Sequence, residues 1–302
     1  MLFKAIKLTF LFFLITYIVN AQQVPLKYFD YNNIISSSDA FFDKKDFNPS
    51  YAGDTLKFKV NLKKMNYWLG YLDSKDLTGF SIERYSRKTQ SGLGLTYYYD
   101  QDFFKSHVFK FDYNFRFNIK DKLNVRIAAS IGLKRYTLEV PIITLETDPM
   151  FSSVNEPNNH PLLSIGTLLK YNNHELGFTY SDILNFDIDP TDYSNPEVFD
   201  DYLMLNYNYT FKLSETIALT PELINYWNSD LNFWILTTSV SFNERIQTGF
   251  LVRSDDNIGL MFGGRPWKRL LAAYMVTFKL NNTNQSGIEY GISGINISYM
   301  LF

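Results

Sequence analysis

The chain has 302 residues, a net charge of −2 and no cysteine. This excludes disulfide scaffolds, thiolate zinc sites, thiol nucleophiles and lipobox acylation, and it leaves no basic footprint for nucleic acid. Aromatic residues make up 18% of the chain, yet its mean hydropathy is −0.17. Past residue 20 it has no run of roughly 20 apolar residues, so a bundle of membrane-spanning helices is excluded.

The first element is an address. Lys4 and Lys7 precede an apolar stretch over 8–19, and Val19-Asn20-Ala21 puts small residues at the −3 and −1 positions before Gln22. This predicts a secretory signal peptide over 1–21, cleaved near Ala21, with an uncleaved anchor helix as the alternative. Residues 22–54 follow as an N-terminal periplasmic segment, and 55–302 as a transmembrane β-barrel.

From residue 55 onward the apolar residues recur with period two, the signature of strands. The run over 109–119 is the clearest. Phe109, Phe111, Tyr113, Phe115, Phe117 and Ile119 share one face, while Lys110, Asp112, Asn114, Arg116 and Asn118 share the other. A soluble sandwich also alternates, but its strands average about 5–6 residues. A tilted transmembrane strand needs ~9–11, which suits these runs. The aromatic cluster Tyr97-Tyr98-Tyr99 suits the girdle of a membrane barrel at the lipid interface.

Taken in order, the segments fall near 55–64, 78–88, 91–99, 107–119, 122–136, 161–171, 174–182, 201–212, 216–227, 231–242, 245–253, 256–264, 268–280 and 286–302. These make an all-β outer-membrane barrel of about fourteen antiparallel strands. Tight connectors such as Thr89-Gln90, Lys120-Asp121, Asn172-Asn173 and Asn243-Glu244 follow even-numbered segments. The long ones near 137–160 and 183–200 follow odd-numbered segments. Short turns therefore lie on one rim with both termini, the rim that faces the periplasm in outer-membrane barrels. In the last segment Ile288, Tyr290 and Ile292 share one phase and Ile295, Ile297, Tyr299 and Leu301 the other, which predicts a bulge at Ser293-Gly294.

Candidate chemistry is sparse. His107, His160 and His174 show no metal-ligand spacing, and no nucleophile elbow, H-E-x-x-H or phosphate-cradling loop is present. His107 with Ser130 on the next strand is the one conceivable base–nucleophile pair. Asp187, Asp189, Asp192, Glu197, Asp200 and Asp201 crowd one loop, either as a solvated acidic loop or as hard ligands for Ca²⁺ without EF-hand spacing. No cofactor and no metal are expected, and the chain is expected not to be an enzyme. Lys57, Lys59, Lys63, Arg116, Arg126 and Lys134 fall on the lumen side of their strands, partly countered by Asp112. They favour an acidic inserted segment or solvate a water-filled lumen.

Phe47-Asn48-Pro49-Ser50-Tyr51-Ala52-Gly53 is similar to an N-P-A-Y-A-G signature, and Trp68-Leu69-Gly70 to a Q-W-V-G. With the motifs that follow, in this order, they resemble the PorP/SprF family of type IX secretion membrane proteins of Bacteroidota. Gly92-Leu93-Gly94-Leu95, the strands around Tyr113 and Gly132, Asp148-Pro149-Met150-Phe151 and Leu176-Gly177-Phe178 with Leu184 continue the likeness. The family's K-I-G-P element is replaced by Asp100-Gln101-Asp102-Phe103-Phe104, and its closing S-G-S-H-E is reduced to Ser286-Gly287-Ile288-Glu289.

The resemblance implies an outer-membrane component that helps secrete or anchor a surface adhesin of gliding-motility type, through that protein's C-terminal sorting domain. It also implies contact with periplasmic lipoprotein and peptidoglycan-binding subunits and with outer-membrane lipid. Asn48, Pro49, Tyr51, Ala52, Gly53, Trp68 and Gly70 become the candidate partner-binding or mouth residues. Pro49 fixes its φ and Gly53 permits a turn, so this motif plugs the mouth, meets periplasmic partners or caps the wall. The competing function is a passive porin or small-solute transporter.

Overall fold

The computed structural model describes residues 43–54, 58–67, 75–101, 104–119, 122–138, 158–184, 201–228, 232–254, 257–279 and 292–301. Its strands are β1 (Phe58–Tyr67), β2 (Lys75–Ser86), β3 (Ser91–Gln101), β4 (Phe104–Ile119), β5 (Leu123–Leu138), β6 (Asn158–Tyr171), β7 (His174–Ser181) and β8 (Tyr202–Tyr209). They continue with β9 (Phe211–Lys212), β10 (Ile217–Trp227), β11 (Asn232–Phe242), β12 (Ile246–Arg253), β13 (Asn257–Trp267), β14 (Leu270–Lys279) and β15 (Ile292–Leu301). All pairing is antiparallel. β15 pairs with β1 from Phe58↔Leu301 to Tyr67↔Ile292, which closes the sheet into a barrel without edges.

β8 and β9 are two parts of one wall strand, so the barrel has fourteen. The ladder to β10 runs to Asn208↔Glu222 and resumes at Phe211↔Leu219. The gap falls opposite Pro221, which has no N–H to offer, and there the hydroxyls of Thr210 and Thr220 lie 3.1 Å apart.

Alternation decides what each side chain meets. On β4, Phe109, Phe111 and Phe115 are exposed on the outer face, while Asp112, Asn114 and Arg116 are buried inside. Leu95, Ile131, Leu260 and Phe262 continue the apolar outer belt. No helix among the described residues is long and apolar enough to cross a membrane. The described connections β2–β3, β6–β7, β9–β10, β11–β12 and β13–β14 lie on the rim that carries the start of β1 and the end of β15. Asn172, Asn243 and Glu244 take left-handed backbone there, a conformation that Asn tolerates better than most residues.

Two sequence expectations change. No bulge interrupts Ser293 and Gly294, because β15 keeps one register with both β1 and β14. Ile292 points inward and is buried against Met65, Leu77, Met261 and Met275, so its phase reflects an apolar lumen layer rather than a slip. The irregularity lies instead in β13, between Gly264 and Trp267, around Pro266. Tyr98 likewise faces inward within the same cluster, while Tyr97 and Tyr99 flank His107 on the outer face. The lumen thus holds an apolar layer among its buried polar residues, and polar side chains such as Asp100, Lys134, His160 and Arg253 are also buried toward the rim opposite the short turns. Ile288 and Tyr290 lie outside the described residues.

Candidate functional site

Residues 43–54 lie inside the barrel. Two single 3-10 turns, Lys44–Asp46 and Pro49–Tyr51, shape this insert. Asn48 caps the second by accepting from Ser50 N at 2.9 Å, with Pro49 at its first position. Gly53 follows at φ +60°, where a Cβ would stand 2.6 Å from the Arg84 carbonyl oxygen, so the chain needs glycine to turn there.

The contacts trace a path in and back out. Asp43 meets Lys59 at 3.3 Å and Asn61 at 3.2 Å, near the start of β1. Deeper in, Asp46 pairs with Lys63 at 2.7 Å, and Lys45 donates to Thr96 at 2.5 Å. Lys44 pairs with Glu222 at 2.8 Å. Asn48 donates to the carbonyls of Thr167 and Phe178 on β6 and β7. Phe47 and Tyr51 pack into the apolar cluster of Leu168, Met204, Ile224, Ile235 and Leu251. The Tyr51 hydroxyl accepts from Asn206 at 2.9 Å.

On the way out, Asn114 and Arg116 read the main chain. Asn114 Nδ2 donates to Ala52 O at 2.6 Å and to Ser50 O at 3.3 Å. Arg116 donates to Ala52 O at 2.9 Å and to the carbonyls of Gly53 and Asp54 at 2.5 Å each, while its guanidinium lies 4.3 Å from the Tyr85 ring centroid. Glu83 accepts from Gly53 N at 2.7 Å. The Asp54 carboxylate pairs with Arg126 and, at 3.1 Å, with Lys170.

Glycines in the wall make the room. A Cβ at Gly92 would overlap the Ala52 carbonyl oxygen, and one at Gly166 would lie 2.5 Å from Asn48 Oδ1. At Gly177 it would overlap Asn206 Oδ1 and stand 3.0 Å from Asn48 Nδ2. A strand glycine of this kind marks the close approach of another backbone. Between insert and wall a cavity of about 10 Å³ remains beside Lys110, Asp112, Ser130, Ser164 and Ser181, room for one water molecule.

The insert's charges are held by partners rather than by solvent. Burial alone would raise the pKa of Asp46, but Lys63 and Lys45 outweigh it and hold the carboxyl well below its ordinary value. Asp54 behaves alike: burial opposes ionisation, and Lys170 and Arg126 overcome it. Burial would lower the Lys45 pKa, yet Asp46, Asp43 and Asp112 carry it above the usual lysine range. Burial, with Glu175 and Glu222 nearby, pushes the Tyr51 phenol up, so it stays neutral.

Asn48, Pro49, Tyr51, Ala52 and Gly53 therefore all sit in the insert, and Lys59, Lys63, Arg116 and Arg126 all touch it. Lys134 is buried inside the barrel nearer the opposite rim. Lys57, Trp68 and Gly70 lie outside the described residues, as do Asp187, Asp189, Asp192, Glu197 and Asp200 of the acidic loop. Sequence reasoning missed Glu83, Asn114, Lys170, Asn206 and Glu222, although each is a polar residue in the lumen phase of its strand. His107 and Ser130 stand on opposite faces of the wall: His107 contacts Tyr97 outside at 2.9 Å, and Ser130 is buried inside opposite Asp112. Among the described residues no three His, Asp or Glu side chains gather as a metal site.

Solved outer-membrane barrels share this architecture. The Acinetobacter baumannii outer membrane protein Omp33 superposes with a TM-score of 0.52 at 9% identity, over 82% of this chain and 99% of that one. The Ralstonia pickettii toluene transporter TbuX gives 0.53 at 8%, over 84% and 92%. The monoaromatic hydrocarbon channel CymD gives 0.53 at 9%, over 84% and 91%. At such identities the likeness concerns the fold alone. No curated protein matches the chain. Residues 41–299, the insert and nearly the whole barrel, match the type IX secretion system membrane protein PorP/SprF, so the chain belongs to that family and is an outer-membrane component of this secretion system.

Proposed function

We propose that this barrel holds the C-terminal sorting domain of a type IX-secreted surface protein, an adhesin of the gliding-motility type, and helps it reach and stay on the cell surface. The role is one of binding, without enzymatic chemistry. In this reading residues 1–21 are the signal peptide, cleaved near Ala21, residues 22–54 enter from the periplasm, and 55–302 form the membrane wall. Periplasmic lipoprotein and peptidoglycan-binding secretion subunits are the further partners at the short-turn rim.

The observation that carries the reading is the insert. The wall holds a polypeptide segment of its own chain through main-chain carbonyls, paired charges and an apolar seat, and the same contacts suit a segment of another chain. A passive solute pore would instead keep this path filled with water. TbuX and CymD carry small hydrocarbons by their descriptions, but at 8% and 9% identity they lend this chain only the fold.

The test is an affinity capture of the tagged, full-length protein from detergent-solubilised outer membranes, read by mass spectrometry. One large adhesin-like protein in the eluate supports the holding role and names the client. Periplasmic lipoprotein and peptidoglycan-binding subunits alone would move the protein into the core machinery. A barrel recovered alone that conducts ions in planar bilayers would overturn the proposal in favour of a pore.

A further inference from the structure

We infer that the lumen wall around residues 43–54 is a peptide-binding groove whose own insert is an exchangeable resident, and that its second occupant is a turn-forming segment of the client's sorting domain carrying an aromatic residue, a glycine two positions later and a carboxylate at the next position. The inference deepens the holding role proposed above and rests on it for the identity of the incoming chain. The groove itself stands on geometry.

Its first part is blind to side chains. Asn114 and Arg116 donate to the carbonyl oxygens of Ser50, Ala52, Gly53 and Asp54. Donors aimed at main chain do not read side chains, so they accept any segment that turns at a glycine as Gly53 does and presents its carbonyls at that spacing. Its second part selects. Tyr51 fills a seat between apolar side chains and Asn206, and three residues later the Asp54 carboxylate meets Arg126 and Lys170. A chain with the same aromatic-x-Gly-acid spacing fits both sites at once. Its third part is clearance: Gly92 and Gly166 lack the Cβ that would strike the insert's backbone oxygen at Ala52 or the Asn48 side chain.

The insert is also suited to leaving. It contributes no strand to the barrel, whose ladder closes through β1 and β15 without it. Much of its hold consists of charged and polar contacts to wall side chains, and those at Tyr51 and Asp54 are the ones a second peptide takes over.

The test uses a fluorescent synthetic peptide with the sequence of residues 43–54 and the full-length barrel purified in detergent. In a variant with residues 43–54 replaced by a Gly/Ser stretch of equal length, the peptide is expected to bind one to one. Arg116→Ala with Arg126→Ala is expected to weaken that binding by about a hundredfold, since charge-assisted contacts to the half-buried Asp54 carboxylate and to buried carbonyls are lost. No binding to a replacement variant that still runs as an intact barrel in unheated detergent gels overturns the inference.

A second measurement leaves the insert in place and does not depend on that variant folding. Ser50 is completely buried and its hydroxyl has no hydrogen-bond partner, so Ser50→Cys is nearly isosteric, and the chain has no other thiol. Maleimide labelling of Ser50→Cys in the folded barrel is expected to accelerate as the peptide is added. Labelling that occurs only after heat unfolding, whatever the peptide concentration, means a permanent plug and overturns exchange. Because only purified barrel and peptide are used, these outcomes are independent of whether a client is captured from cells.

Discussion

Lys63 Nζ lies 2.7 Å from Asp46 Oδ2 in the middle of the lumen, with side-chain exposures of 1% and 4%. One member belongs to the wall and the other to the insert, so the pair ties together two pieces of chain that share no sheet. Breaking a buried pair leaves one charge without its partner, at a cost of about 3–5 kcal/mol, whereas replacing both members is far milder. Lys63→Met is therefore expected to loosen the insert and raise maleimide labelling of Ser50→Cys by at least about a hundredfold. Adding Asp46→Asn should recover only part of that loss, because Asp46 also pairs with the buried Lys45 at 3.3 Å. The double-mutant cycle checks it: equal labelling in the single and double variants would mean that the pair does not hold the insert.

The strand phases were legible because the outer face meets a uniform apolar solvent. Phe109, Phe111 and Phe115 against Asp112, Asn114 and Arg116 can be divided from sequence alone, and the fourteen segments and both rims follow from repeating that division. What the lumen holds was not legible in the same way. Lys63 and Arg116 were recognisable as inward-facing, but a basic interior fits equally with water, a partner or the chain's own N-terminus. The choice between them depends on contacts such as Lys44 to Glu222, 178 positions apart, which no local pattern encodes. Gly92 and Gly177 stood in view as motif residues; that they are clearances for a second backbone emerges only once the insert is in place. The expected bulge at Ser293-Gly294 failed for a related reason. Ile292 is apolar because it packs inside the lumen, and period-two reasoning assigns every apolar residue to lipid.

The ion pairs of Asp46, Asp54 and Lys45 should not titrate across the neutral range. Asp46 and Asp54 have pKa values held below 3.8 in the folded state. The stability they contribute is therefore complete above the ordinary carboxylate range and is lost as pH falls through their depressed values. Lys45 has the opposite sign: its pKa is raised above 10.5, so its contribution is complete below that value and fades as pH rises through the folded value. Labelling of Ser50→Cys by a thiol reagent, corrected for the reagent's own pH dependence, is expected to be flat from about pH 5 to 9. A step near pH 6.5 would point to a histidine and contradict this account.

The outer face should behave as a lipid surface. Ile131 is 58% exposed near the middle of β5, and an arginine in the apolar belt of a membrane barrel costs about 2–4 kcal/mol near the bilayer midplane. Ile131→Arg is expected to lower the urea midpoint for refolding into lipid vesicles accordingly. Tyr171→Arg, at the short-turn end of β6 and also exposed, should cost at most about 1 kcal/mol. Equal costs at the two positions would argue that the belt does not sit where the alternation puts it.

The wall glycines offer the sharpest separation of barrel from insert. At Gly92 an added Cβ would overlap the Ala52 carbonyl oxygen and come within 2.6 Å of the Asn114 amide. The first of these is backbone and cannot swing aside, so Gly92→Ala forces the insert rather than the wall to move. Overpacking of this kind costs about 1–3 kcal/mol, which should appear as a 10- to 100-fold rise in labelling of Ser50→Cys. Gly264→Ala is the control, because the nearest atom to its new Cβ is the Arg245 carbonyl oxygen at 3.8 Å, an ordinary contact. Both variants should keep the gel mobility of a closed barrel, since neither change touches the ladder. If Gly92→Ala instead abolished barrel formation while the insert stayed protected in the surviving fraction, the insert would be part of the folding core and not a separate occupant of it.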